Sequence, residues 1–465
     1  MEGAVYMKIT VLNGSPKGNI SVTVQYVLFL QKRFPQHEFE MFNVAQEINK
    51  IEKDTGAFRG IVGAVQSSDL VLWAFPLYYL LVASQYKRFI ELIWERDAQG
   101  AFKDKYAAAL STSIHFYDHA ALNYVNAVCD DLQMRYIGGY PAKMYDLMHR
   151  AERERFTRFA EHVFEAVDTQ APTSRKFLPL VHHTFKYIPG EADSKVETSG
   201  RKVLILTDCR EGGTNLRGMI DRLLSSFSGS IEEANLYDVD IKGGCLGCIQ
   251  CGYDNKCVYG DKDGYGEFFD TKVSTADVLV LAGAMKDRYF SSRWKMFFDR
   301  SFFRGHTPSL AGKQVGIIVS GPLGQDANLR QVLEAYWEIQ GANLVDIVTD
   351  EGEDSAEIDA LLQGMAGRLI AYAREEYVRP RTFLAVGGWK LFRDEVWSKL
   401  RLTFQADHRY YKRHGLYDFP QKQYRIRLMN AMVTPLFIIP RFRREFARRI
   451  KEAMIQPLQK ALERV

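Results

Sequence analysis

Four of the six cysteines, Cys245, Cys248, Cys251 and Cys257, fall within thirteen positions, leaving Cys129 and Cys209 isolated. Four thiolates are the ligand set of a 4Fe–4S cluster, and two successive two-residue spacings let one compact loop wrap such a cubane. Structural zinc sites use two cysteine knuckles separated by a longer loop, which makes zinc less natural here. The same residues could also remain free thiols or form a redox disulfide. Gly243, Gly244, Gly247 and Gly252 surround the thiols and give a backbone able to fold tightly and aim N–H groups at sulfur. Cysteines clustered in this way read as metal or redox chemistry in a reducing compartment, not as a disulfide framework.

The second chemical signature is Asn13-Gly-Ser-Pro-Lys-Gly-Asn-Ile-Ser21. It follows a short apolar run and precedes an amphipathic stretch. Gly14 and Gly18 allow a tight turn with exposed N–H groups, Ser15, Asn19 and Ser21 add side-chain donors, and the helix N-terminus beyond favours an anion. The alternative is an ordinary solvated turn, but position and composition both favour a phosphate cradle. It is neither a P-loop nor a dinucleotide fingerprint.

The elements that must hold these loops repeat. Lys8-Ile-Thr-Val-Leu-Asn13 matches Lys202-Val-Leu-Ile-Leu-Thr207 at a spacing of 194. Ser68-Asp-Leu-Val-Leu-Trp-Ala74 matches Ala276-Asp-Val-Leu-Val-Leu-Ala282, Lys87-Arg-Phe-Ile matches Lys295-Met-Phe-Phe, and Lys105-Tyr-Ala matches Lys313-Gln-Val, all at 208. The 14-residue growth between the two spacings falls where the cysteines lie, placing them in an insertion of the second copy, after its second helix region and before its third strand. Buried-type strands alternate with helical patterns at Val22–Gln36, Gln85–Glu95 and Leu122–Met134, which predicts doubly wound parallel sheets with ligands at the carboxyl ends of the strands. The expected organisation is a first α/β domain over 1–168, a linker over 169–200, a second α/β domain over 201–378 bearing the cysteines, and a basic helical extension over 379–465.

Gly14-Ser-Pro-Lys-Gly-Asn19, with Ala74-Phe-Pro-Leu-Tyr78 and Ser84-Gln-Tyr-Lys-Arg-Phe-Ile90, resembles the NAD(P)H-dependent FMN reductases, a flavodoxin-like family, over roughly residues 7–165. The cysteine segment and Lys295-Met-Phe-Phe-Asp-Arg300 resemble its iron–sulfur flavoprotein branch. The resemblance implies two tandem flavodoxin-like domains. It puts FMN phosphate at Ser15, Lys17, Asn19 and Ser21, the flavin ring at Pro76, Leu77 and Tyr78, and a 4Fe–4S cluster at Cys245, Cys248, Cys251 and Cys257. The implied chemistry is NAD(P)H-driven electron transfer between FMN and the cluster, with a small-molecule or protein donor and acceptor and no dedicated catalytic side chain. The rivals are a non-enzymatic redox or metal sensor and a zinc-stabilised flavin or quinone reductase.

In the second copy the loop reads Thr207-Asp-Cys-Arg-Glu-Gly-Gly-Thr-Asn215, with Asp208 taken as the counterpart of Ser15, and Ala284-Met-Lys286 replaces Pro76-Leu-Tyr78. A carboxylate facing a phosphate is unfavourable unless Arg210 compensates, in which case the second domain would keep its own FMN; one flavin per chain is expected, facing the cysteine loop across a pseudo-twofold pair of domains. His115 and His119 are further candidates for contact with substrate or flavin, and Gly321-Pro-Leu-Gly324 reads as a turn in the matching place of the second copy.

The 465-residue chain has 46% hydrophobic and 25% charged residues, an ordinary globular composition with two or three domains' worth of length. Without a signal-peptide pattern or a long apolar run, a cytoplasmic location is expected. The net charge of +4 hides an asymmetry: residues 381–465 carry 19 Lys and Arg against 7 Asp and Glu, a net +12, leaving −8 on the remainder. Phe442, Phe446, Ile450 and Met454 form an apolar stripe flanked by arginines. Packing of this stripe on the acidic body is the favoured expectation, and peripheral membrane contact through 433–455 is the alternative. No nucleic-acid-binding motif accompanies the charge.

Overall fold

The computed structural model describes residues 6–192, 194–210, 212–419 and 423–462; Glu211, within the second copy's loop, lies outside them. The first domain runs β1 (Lys8–Asn13), α1 (Val22–Arg33), β2 (Glu38–Phe42), α2 (Ile48–Lys53), α3 (Thr55–Ser67), β3 (Leu70–Pro76), α4 (Ser84–Glu95), β4 (Tyr106–Ser113), α5 (Asp118–Asp131), β5 (Arg135–Lys143) and α6 (Arg150–Asp168). After the linker and the short β6 (Val196–Glu197) come β7 (Val203–Thr207), α7 (Asn215–Ser225), β8 (Phe227–Ser228) and β9 (Ile231–Asn235). The cysteine segment carries α8 (Cys251–Asp254) and leads to α9 (Tyr265–Phe268), β10 (Val278–Ala284), α10 (Ser292–Arg300), β11 (Gln314–Ser320), α11 (Ala327–Ile339), β12 (Asn343–Thr349) and α12 (Ser355–Glu375). The extension adds α13 (Phe383–Trp397), α14 (Gln405–Arg413), α15 (Tyr424–Val433) and α16 (Pro440–Leu462).

Both main sheets are wholly parallel. Their orders, β2-β1-β3-β4-β5 and β9-β7-β10-β11-β12, are the same flavodoxin-like winding. The repeat extends to single residues. Ile9 pairs with Leu70 as Val203 pairs with Val278, and Leu70 pairs with Tyr106 as Val278 pairs with Gln314. Even the ladder irregularity between Ala107 and Ala108 recurs between Val315 and Gly316, 208 positions on. Near-continuous burial of β3 and β10 explains their Val, Leu and Ala runs, since helices cover both faces. The cysteine segment directly follows β9 and occupies the place that α2 takes in the first domain, so it does not follow a helix as the sequence reading had it.

The two domains meet through α4 and α10 in a reciprocal, isologous-type contact. Glu91 of α4 accepts from the backbone N–H and hydroxyl of Ser292 at the start of α10, both at 2.5 Å. Asp299 of α10 accepts from the backbone N–H of Ser84 at the start of α4, at 2.7 Å. Ser84 and Ser292, Lys87 and Lys295, and Glu91 and Asp299 are each 208 apart. Lys87, fully buried, pairs with Glu91 at 2.8 Å and Asp287 at 3.0 Å, while Lys295 pairs with Asp299 and donates to the Tyr78 carbonyl at 2.9 Å. Buried charges in low dielectric persist only when paired in this way. Around them a single apolar core runs from Trp73, Tyr86 and Phe89 into Phe290, Trp294 and Phe298.

Both domains, together with the first part of the extension, therefore form one compact unit ending at His408, and Arg409–Val465 forms a second unit. The first part of the expected extension thus packs with the two domains. Tyr117 donates to the Leu384 carbonyl, and Ala385 and Phe392 are buried, so α13 belongs to the body of the protein.

Candidate functional site

β1 delivers Asn13 to the carboxyl edge of the first sheet, where the chain must turn at once. Gly14 donates to the Ala74 carbonyl at 2.7 Å, and a Cβ there would lie 2.6–2.9 Å from the buried Tyr86 ring. The turn is pinned by a relay of amides: the Ser15 N–H donates to Asn13 Oδ1 (3.1 Å), Asn13 Nδ2 to Asn43 Oδ1 (2.8 Å), and Asn43 Nδ2 to Asn19 Oδ1 (2.9 Å). Ser21 caps α1 by accepting from the Val24 N–H at 3.2 Å.

At the end of β3, Tyr78 and Leu81 exchange backbone hydrogen bonds of 2.8 and 3.0 Å around Tyr79 (φ +38°) and Leu80 (φ +69°). Two successive bulky residues in the left-handed region are a costly turn, of the kind that persists where surrounding structure imposes it. Here the second domain does so. Lys295 holds the Tyr78 carbonyl, and Gln340 donates to the Tyr79 hydroxyl at 2.7 Å.

The cysteine segment is tied at its base by Arg300, which donates twice to Asp263 (2.7 and 3.0 Å) and to the Gly243 carbonyl (2.9 Å) and lies over the Tyr259 ring at 4.0 Å. Its tip reaches the first domain, where Gln85 donates to the Cys245 carbonyl at 3.1 Å. Gly247, at φ +61°, approaches so closely that a Cβ would lie 2.8 Å from Tyr78 Cζ and 3.0 Å from Lys17 Cε.

These parts converge on one cavity of about 270 Å³. Ser15, Lys17, Ser21, Pro76, Leu77 and Tyr78 line it, as do all four clustered cysteines. Asn19 does not; it is exposed and spent on Asn43. Nor do His115, which hydrogen-bonds Asp118 at 2.8 Å, and His119, which faces Gln331 at 3.3 Å. Sequence reasoning missed the remaining wall, in which Phe302 and His306 of the second domain meet Phe392 and Phe404 of the extension. His306 stacks on Phe392 with centroids 3.7 Å apart and lies 3.9 Å from Asp407. Burial pushes His306 down to about 3, so its ring is neutral, and pushes Asp407 up to about 7.

The cavity suits FMN by its chemistry. The first turn of α1 opens on it, and Lys17 makes no ion pair among the described residues, which leaves a cation and a helix N-terminus for a phosphate. Pro76, Leu77 and Tyr78 supply an apolar seat for a planar ring. The cysteines fit a metal cluster less well. Among the described residues no three His, Cys, Asp or Glu side chains converge into a metal-holding group. Burial, helped by the Asp299 carboxylate and then by the neighbouring cysteines, drives the Cys245 thiol up to about 12, and burial followed by the neighbouring cysteines raises Cys251 as well. The Gly247 N–H to Cys245 Sγ bond, 3.5 Å, works in the opposite direction.

The second domain's loop corrects one alignment. Because Asn13 pairs with Ala74 as Thr207 pairs with Ala282, Asp208 corresponds to Gly14 and Cys209 to Ser15. Cys209 N–H donates to Thr207 Oγ1 at 3.0 Å, and Thr214 caps α7, repeating the roles of Ser15 and Ser21. Some of the donors around this second cradle are already engaged. Asp350 accepts from Asn215 (3.0 Å), Ser320 (2.7 Å) and the Gly321 N–H (2.8 Å), while Phe185 and Tyr187 of the linker take the rest of the Asn215 amide.

Residues 7–146 match the family model described as NADPH-dependent FMN reductase. No curated protein matches the chain. Among solved structures the chain is similar to FerB, a flavoenzyme NAD(P)H:(acceptor) oxidoreductase from Paracoccus denitrificans, at 16% identity and a TM-score of 0.30, covering 35% of this chain and 98% of that one. It is also similar to an FMN-dependent NADH-azoreductase from Bacillus anthracis in complex with FMN, at 15% identity and a TM-score of 0.26, covering 35% and 99%. A third is an NAD(P)H:quinone oxidoreductase from Methanothermobacter marburgensis, at 10% identity and a TM-score of 0.26, covering 35% and 98%.

Proposed function

We propose, from the premise that residues 7–146 belong to the NADPH-dependent FMN reductase family, that this chain is an NAD(P)H-dependent oxidoreductase with one FMN, held in the first domain. The observation that carries the reading is the convergence of Ser15, Lys17, Ser21 and Pro76–Tyr78 on one cavity. Bound there, FMN would supply two-electron acceptance from a nicotinamide and one-electron release to an acceptor. The chain's own part is to position and shield. Lys17 and the start of α1 neutralise the phosphate, and the rigid Tyr78–Leu81 turn fixes the ring seat. The aromatic wall of Phe302, Phe392 and Phe404 excludes water from the space where an acceptor would meet the ring. The occupied donors of the second cradle support a count of one flavin per chain.

The test is direct. Purified chain saturated with FMN should hold one equivalent and oxidise NADH or NADPH, and Ser15→Asp, which sets a carboxylate against the phosphate, should release the flavin. Undiminished FMN in that variant, or two equivalents in the parent, would sink the reading.

A second element, electron transfer to a 4Fe–4S cluster on Cys245, Cys248, Cys251 and Cys257, is favoured by one observation: all four thiols line the wall of the same cavity. Among the described residues they do not form a ligand set. Iron and acid-labile sulfide in anaerobically purified protein would support the cluster. Stoichiometric zinc without sulfide, or metal-free thiols, would replace it with one of the two rival uses of the loop.

A further inference from the structure

We propose that the C-terminal hairpin, residues 423–462, docks the protein on an anionic membrane surface, lying in the interface and not spanning it. This inference is independent of the flavin assignment. The hairpin joins α15 to α16 through the turn at 434–438, where the Phe437 ring packs against Phe442 at 5.2 Å and Phe446 at 4.8 Å. Those contacts are small for so apolar a segment. None of α15 is buried, and Leu428 (62%), Met432 (63%), Ile438 (81%), Met454 (68%) and Leu458 (63%) all face solvent.

A row of large exposed apolar groups at this density marks an interaction surface, and charge identifies the occupant. The hairpin contains nine Lys and Arg against two Glu, a net +7 in forty residues. At about 100° per residue, Phe442, Phe446, Ile450 and Met454 fall within an arc of about 120°, which Arg443 shares and Arg449 borders, while Arg441, Arg444 and Arg448 fall on the other side. An apolar arc bordered by arginines is the pattern that buries in the headgroup boundary while its charges meet acidic lipid. Among the described residues no helix is long and apolar enough to cross a bilayer, which leaves surface residence as the mode of contact.

The experiment is flotation of the full chain with vesicles of phosphatidylcholine containing about 30 mol% phosphatidylglycerol, against pure phosphatidylcholine, at about 0.1 and 0.5 M salt. Circular dichroism would confirm that every variant is folded. The expected result is binding to the anionic vesicles, release at the higher salt and little binding to the neutral ones. Replacing Arg441, Arg444, Arg448 and Arg449 by Gln should lower the partition coefficient on the order of a hundredfold or more. The pair Met454→Glu and Leu458→Glu should weaken it as strongly. Absence of flotation, equal binding to neutral vesicles, or binding unaffected by the Glu pair would overturn the proposal. So would sedimentation showing that the hairpin pairs two copies of the chain and leaves vesicles unbound.

Discussion

Gly247→Ala tests whether the cysteine loop is part of the flavin seat. Two penalties can be worked from the geometry. Gly247 sits at φ +61°, a conformation that costs an L-residue about 1–2 kcal/mol. Its added Cβ would overlap the Tyr78 hydroxyl outright and lie 2.8 Å from Tyr78 Cζ and 3.0 Å from Lys17 Cε, where ordinary carbon contacts begin near about 3.5 Å, so one side must move well clear. Tyr78 cannot easily be that side, because its carbonyl is held by Lys295 and its backbone by Leu81. The loop must therefore retreat, weakening the Gln85 hold on Cys245 and opening the wall beside Lys17. Overpacking of this kind costs about 1–3 kcal/mol. If half of that falls on the flavin-competent arrangement, the FMN Kd rises about tenfold. Fluorescence titration of flavin-free protein measures this directly. Gly266→Ala, in α9 with open space at its Cβ, is the control and should leave Kd unchanged. Equal FMN affinity in Gly247→Ala and the parent would refute the contact between loop and seat.

Three further outcomes are expected. Glu91→Gln, which breaks the buried Lys87 pair, should lower stability by about 3 kcal/mol, read as a shift of the first urea transition in a chain that need not unfold in one step. Burial works to raise the Glu91 carboxyl, but the Lys87 ammonium and the Ser292 donors hold it below the usual range, so its contribution is present above the ordinary carboxylate pKa and is lost as pH falls through the folded value. Asp407 has the opposite sign. Raised by burial to about 7, it makes the folded state bind the extra proton, so stability should fall as pH rises from about 4 to 7, and Asp407→Asn should flatten that slope in a series of thermal melts.

Much of the fold was legible because buried parallel strands leave an unambiguous signal. Lys8–Asn13 was read as the strand it is, and the 194 and 208 spacings reappear as ladder register. The cradle was legible for the same local reason, a glycine turn between strand and helix. What was not legible lies in contacts of large sequence separation. Nothing local distinguishes Asn19, turned outward to Asn43, from Ser15 or Ser21. Placing Asp208 opposite Ser15 was a one-residue slip that only the pairing of Thr207 with Ala282 resolves. Phe392 and Phe404 belong to the cavity because the chain returns to it some 300 residues after Tyr78, and their sequence context reads merely as amphipathic helix.

The reciprocal caps at the domain interface bear on why the arrangement is asymmetric. In a twofold pair of identical chains, any loop inserted beside one cradle is inserted beside both, and any carboxylate that fills one fills the other. Within one covalent chain that coupling is absent while the paired contact is present: Glu91 caps Ser292 and Asp299 caps Ser84. With the interface preserved, the first domain retains an open cradle at Ser15 and Lys17, while Asp350 and the linker engage the second. The segment that would have been the second domain's α2 is then free to become the cysteine loop, and the pseudo-twofold brings its tip against Tyr78 of the other domain. Shared interface chemistry thus accounts for two domains with one winding and two differently lined cradles.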